Sequence, residues 1–127
     1  MRSLRDGHAE RGSVSVLAVA LMVALVVLAL GASDVAQVLA AAARAQTAAD
    51  AAALAAAQEL ALPSGLSPSD AAKRYAERNG AEFLSCDCMS NGSTATVEVR
   101  VPVGRLLLFV GDRVVTADAK AVVDRPS

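Results

Sequence analysis

The chain has 127 residues, among them 29 alanines, 17 valines and 15 leucines, with two phenylalanines, one tyrosine and no tryptophan. Twelve basic residues face thirteen acidic ones, for a net charge of -1. This length suits one small domain with appendages. The balanced charge and scarce aromatics exclude nucleic-acid binding by bulk charge or base stacking, and an apolar content of 54% excludes a disordered chain.

The first element is a membrane span. Residues 14–32 carry no charge and hold six valines, five leucines and five alanines. As a helix they extend about 28 Å, close to the thickness of a bilayer's hydrocarbon core. The valines and leucines together contribute about -5 kcal/mol to insertion. A buried helix of a soluble domain is the competing reading, but the rest of the chain is too short to wrap such a helix on all sides. Arg2, Arg5 and Arg11 precede the span, whereas Arg44 is the only base in the twenty residues after it. The positive-inside rule therefore puts the N-terminus in the cytoplasm and the rest outside. The segment also has the layout of a secretory signal, with Ala29 and Gly31 as small residues at a cleavage site. Nineteen apolar residues are long for such a signal, which favours a retained anchor.

The helix is expected to continue outward. Sixteen of residues 32–61 are alanine, and no proline occurs before Pro63. Residues 14–62 form a rod of about 73 Å, which Pro63-Ser64-Gly65 ends. On a helical wheel Val35, Val38, Ala42, Ala45, Ala49, Ala52, Ala53, Ala56 and Leu60 make one stripe. Asp34, Gln37, Arg44, Gln46, Thr47, Asp50, Gln58 and Glu59 lie outside it. Small residues let another backbone approach closely. The stripe packs on the chain's own outer domain, on copies or partners, or on both along different parts of its length.

A second helix is predicted from Pro68 to Asn79. Ser67 caps it, Pro68 takes its first position, Asp70 sits in its first turn and Gly80 stops it. Strands follow. Asn91-Gly92 is a hairpin signal between residues 82–89 and 94–103. Val97, Val99, Val101 and Val103 alternate with polar residues, as do Val115, Ala117, Ala119, Ala121 and Val123 in a third strand. The apolar run 106–110 reads as a strand, a turn of helix or a membrane-proximal patch, and Gly111-Asp112 as another turn.

Several of these residues form a known pattern. Arg11-Gly12 stands directly before the apolar helix, Asp34 just beyond it, and then come Gln46, Asp50 and Leu54 within an alanine run that reaches Ala57. Residues 11–60 thereby resemble the TadE/TadG-like proteins of the Tad (Flp-type) pilus and secretion machinery. The short length and strand-rich tail look most like the small TadE-like proteins encoded beside secretion ATPases in actinobacteria. The resemblance implies an α+β, pilin-like fold: a long N-terminal helix, transmembrane then exposed, a short second helix and a small antiparallel sheet of about three strands. The elements read above divide the chain into a cytoplasmic tail (1–12), a membrane helix (13–33), its extracytoplasmic continuation (34–62), a linker and short helix (63–80) and a β domain (81–127). Arg11, Gly12 and Ser13 look like a leader junction. Related pilin leaders carry glutamate five residues after the cleaved glycine, where this chain has Leu17.

The search for chemistry is short. The sole histidine, His8, lies in the cytoplasmic tail, so an outer triad is unavailable. No glycine-rich loop follows a strand, and the bases and acids are interspersed as on a solvated surface. No catalytic, cofactor-binding or metal-ligating residue is expected. Asp34 sits just past the span, where it either sets the depth of the helix or contacts another subunit. Cys86 and Cys88 are the only cysteines, in a compartment that permits disulfides. Two ligands at this spacing cannot close a zinc site. In a regular strand their Cα atoms stand about 7 Å apart, so the alternatives are a local disulfide with the strand bent, intermolecular bridges or free thiols.

Two functions fit. The first is a single-pass accessory or minor subunit of a Tad-type apparatus, a structural role without enzymatic activity. Its partners are then the lipid bilayer and other Tad-like subunits, with copies of itself as a further partner, and no nucleic acid. The second is a small secreted or anchored binding module that uses the apolar segment for export.

Overall fold

Sixteen alanines among residues 32–61 and no proline before residue 63 leave nothing to interrupt a helix once it has started. The computed structural model describes residues 3–89 and 91–124, with side chains from Gly12 onward. Its first element, α1 (Ser3–Ala61), is one helix of 59 residues, about 88 Å long. The tail expected at residues 1–12 enters this helix at Ser3, and the side chains of Arg2, Arg5, His8 and Arg11 lie outside the described residues. Over Gly12–Ala61 the most apolar stretch has a mean hydropathy of 2.9, and none of that stretch is buried in the fold.

The end of α1 is built from its own side chains. The Glu59 carboxylate accepts hydrogen bonds from the Ser64 N–H and hydroxyl, which holds that carboxyl below its ordinary range. Gly65, at φ +106°, turns the chain back. Helix α2 (Pro68–Arg78) starts as expected: Ser67 Oγ accepts from the Asp70 N–H at 3.0 Å and donates to Asp70 Oδ2 at 2.7 Å. It ends in a Schellman motif. Gly80, at φ +75°, donates to Glu77, and Ala81 reaches back to the Ala76 carbonyl at 3.0 Å.

Strands β1 (Glu82–Asp87), β2 (Thr94–Pro102) and β3 (Val114–Val122) pair antiparallel in the order β1-β2-β3. The two helices cover one face of this sheet, α1 over β2 and β3, α2 mainly over β1. Beneath them Ala95, Val97, Val99 and Val101 of β2 are buried, while Glu98 faces solvent and Thr96 and Arg100 are half-exposed. The period-two pattern thus shows which face is covered. On the open face Arg100 and Glu82 pair at 2.7 and 2.8 Å. Both are well exposed, so the pair is screened and adds little.

Two details differ from the pattern read in the sequence. The pairing of β1 with β2 shifts between Phe83 and Ser85, leaving Leu84 as a bulge. Phe83 and Cys86, three residues apart, therefore both turn towards the core. The connection after β1 is also longer than expected, because β1 ends at Asp87 and not at Met89. Residues 88–93 separate the strands, and Gly92 closes a turn onto the Met89 carbonyl at 2.8 Å without a positive φ.

Candidate functional site

The apolar run 106–110 is neither strand nor helix. It lies in an irregular connection between β2 and β3 whose base is tied by the Val103 N–H to the Arg113 carbonyl at 2.8 Å. Such a loop leaves backbone donors without partners, and here they converge on one side chain. Asp34 Oδ1 accepts from the Leu107 N–H at 2.7 Å. Its Oδ2 accepts from Leu108 at 2.7 Å and from Phe109 at 3.4 Å. The carboxylate is 2% exposed, the one buried charged group among the described residues. Donation by Leu107 above all, then by Leu108 and Phe109, outweighs desolvation and holds its pKa below the ordinary aspartate value.

Asp34 thus has a role that neither expectation named. It is tied to its own chain, seventy-three residues away, and belongs to the buried face of α1 rather than outside the stripe. Of the stripe itself, Ala45, Ala49, Ala52, Ala53, Ala56 and Leu60 are buried in the fold, joined by Ala41 and Ala48. Ala42 is half-buried, and Val35 and Val38 are exposed. The covered face is rotated at its membrane end, where Asp34 is buried by its bonds to residues 107–109 and Val35 stays exposed. The stripe is therefore occupied within the chain and is not open to a partner over Ala45–Ala56.

The other side of α1 carries what the stripe does not. Gln46, Asp50 and Leu54 follow each other at four-residue spacing, a single ridge on the helix surface. All three are exposed, Leu54 at 57%. Gln46 Nε2 donates to Asp50 Oδ1 at 3.0 Å along this ridge. Periodicity alone had not separated this ridge from the general polar side of the rod. The signal for it was the motif, whose non-alanine residues from 46 to 57 are these three and Thr47.

Cys86 and Cys88 are bonded to each other, with Cα atoms 5.4 Å apart. β1 ends at Asp87 between them, and the chain turns there as a local disulfide requires. Both cysteines pack against the core. Gly12 and Ser13 of the leader-like junction lie inside the continuous helix, and the side chain of Arg11 is outside the described residues. Among the described residues no three histidine, cysteine, aspartate or glutamate side chains come together as a metal site would need.

The family model described as Flp pilus-assembly TadE/G-like matches residues 12–59. Across this segment the chain is similar to that family. The match begins at the glycine before the span and ends two residues short of the end of α1, so it contains the span, Asp34 and the outward ridge. No curated protein and no solved structure matches the chain significantly. The TadE/G-like match and the long apolar helix together support a pilus-assembly-related membrane protein.

Proposed function

We propose that this TadE/G-like protein is a single-pass accessory or minor subunit of a Tad-type pilus assembly or secretion apparatus, with a pilin-like arrangement of helix and sheet. Its N-terminus is cytoplasmic and its α+β domain lies outside. It works as a structural component, joined to other Tad-like subunits through the outward face of α1. One observation carries this reading. The stripe alanines Ala45, Ala49, Ala52, Ala53 and Ala56 of the family-matched segment are consumed by packing within the chain, while Gln46, Asp50 and Leu54 of the same segment point away from it. A helix that needed only to hold its own domain has no use for a leucine on its solvent side, although one exposed leucine alone is unremarkable. The ridge combines that leucine with two hydrogen-bonding side chains on a rigid rod.

The test is co-purification from membranes with the other subunits of the apparatus. Leu54→Glu places a charge in the ridge and is expected to lose those partners. Leu62→Glu makes the same change at a site 80% exposed beyond the end of α1 and is expected to keep them. Retention by both variants refutes the ridge as an assembly surface. A mature chain that begins at Ala32 or Ser33 instead identifies a cleaved signal and supports the secreted binding module.

A further inference from the structure

The loop between β2 and β3 exposes a patch that the fold does not need. Leu107 is 56% exposed, Leu108 42% and Phe109 53%, although each is large and apolar. Contiguous exposure of this kind marks a binding surface. Its place on α1 identifies what it meets. A Cβ added at Gly31 would lie 3.6 Å from Leu108 Cδ1, so Leu108 rests on the last turn of the apolar segment 14–32. Phe109 lies one to two turns further out, beside Val35, Val38 and Leu39, around a cavity of 180 Å³.

We propose that Leu107 and Leu108 form a lipid-contacting wedge, seated in the outer interface of the bilayer beside the span and clamped there by Asp34. The proposal rests on the membrane-spanning reading of α1. Three observations support a lipid occupant over a protein one. The patch continues the lipid-facing surface of the span without a gap. Its backbone donors at 107, 108 and 109 are already satisfied by Asp34, which removes the cost that keeps irregular backbone out of an apolar phase. Arg105 and Arg113 flank the run, and Arg113 stacks on the Phe109 ring at 5.7 Å. Apolar tips with cationic stems suit the headgroup boundary. The wedge gives the α+β domain a second point of attachment, fixing its tilt relative to the membrane.

The chain has no tryptophan, so a single introduced one reports its own surroundings. The full-length protein is reconstituted in phosphatidylcholine–phosphatidylglycerol vesicles containing lipids brominated either near the headgroup or deep in the acyl chain. Leu107→Trp and Leu108→Trp change exposed side chains. Leu25→Trp reports the middle of the span. Leu62→Trp, about 45 Å of helix beyond Ala32, reports water. The expected result is about a twofold loss of emission at Leu107→Trp or Leu108→Trp with the shallow quencher, the depth of an interfacial insertion. Leu25→Trp responds to the deep quencher, and Leu62→Trp to neither. In the Asp34→Asn background, quenching at residue 107 falls towards that at residue 62. Unquenched emission at both 107 and 108 with a quenched residue 25 overturns the wedge and leaves the span standing. An unquenched residue 25 overturns both. A blue shift at 107 and 108 that appears only when Tad-like subunits are added assigns the patch to a protein partner and overturns the lipid reading.

Discussion

Replacing Ala49 by leucine distinguishes a helix face packed within the chain from one reserved for other subunits. Ala49 is 0% exposed and lies in the core with Ala45, Ala52, Ala53 and Ala56, on the helix that packs against α2, β2 and β3. Close approach of α1 to the sheet leaves no room for three more carbon atoms. Overpacking of this kind costs about 1–3 kcal/mol. For a domain of this size each kcal/mol moves Tm by about 4–8 °C, so the variant is expected to melt about 5–20 °C lower. The comparison is Leu54→Ala on the outward ridge. Leu54 is 57% exposed, and its truncation is expected to stay within about 0.5 kcal/mol. Scanning calorimetry of the detergent-solubilised full chain measures both, and co-purification is scored on the same membranes. Ala49→Leu is expected to lose stability first, and Leu54→Ala to lose partners while melting normally. If Ala49→Leu melts within about 2 °C of the parent and loses its partners, the alanine face is the assembly surface and the packing argument is wrong.

Asp34 makes a pH prediction. Its folded pKa is depressed, so its contribution to stability is complete above the unfolded value and disappears as pH falls through the lower folded value. Melting temperature is expected to hold from neutrality to about pH 4 and fall below it, with a shallower fall in Asp34→Asn; parallel curves for the two proteins refute the clamp. Alkylation of the unfolded, unreduced chain is expected to modify no cysteine and, after reduction, both Cys86 and Cys88; labelling before reduction contradicts the bond between them. A reporter enzyme fused after Ser127 is expected to be active outside the membrane, and mass spectrometry of the native protein to find residues 14–32 retained. Cytoplasmic activity of the fusion reverses the orientation.

Local signals carried the sequence reading far. Caps, glycine stops and period-two alternation depend on neighbours in the chain, so α2 and the three strands lie close to their expected places. What escaped depends on contacts across the fold. The β1 bulge at Leu84 follows from how Phe83 and Cys86 meet the helices, which no alternation pattern contains. Asn91-Gly92 marked the hairpin, but β1 stops at Asp87, two residues before its expected end, where the chain bends between the bonded cysteines. The wheel placed Asp34 on the polar side since it counts polarity, whereas the group is buried by donors from residues 107–109. A lone carboxylate at the end of nineteen uncharged residues was the visible sign that something there required an acceptor. The apolar run 106–110 had the matching sign on the other side, and pairing the two needed the topology that brings the β2–β3 connection back to α1.

The two halves of α1 meet different burial problems with differently sized side chains. In residues 14–32 valine and leucine supply apolar area to lipid, which fits around any shape and rewards bulk. From Ala41 onward the neighbour is a three-stranded sheet and a short helix, too small to enclose large side chains. Alanine lets the backbones approach until the valines of β2 fill the gap. The join between the regimes is the weak point, since neither lipid nor core satisfies backbone polar groups there. Asp34 lies at that join, and its two oxygens accept from three consecutive N–H groups. An asparagine offers one acceptor in place of two, and a glutamate extends its carboxylate by one methylene from donors already at 2.7 Å. The requirement for aspartate at this position therefore comes from the loop that it holds, and it stands whether or not another subunit approaches.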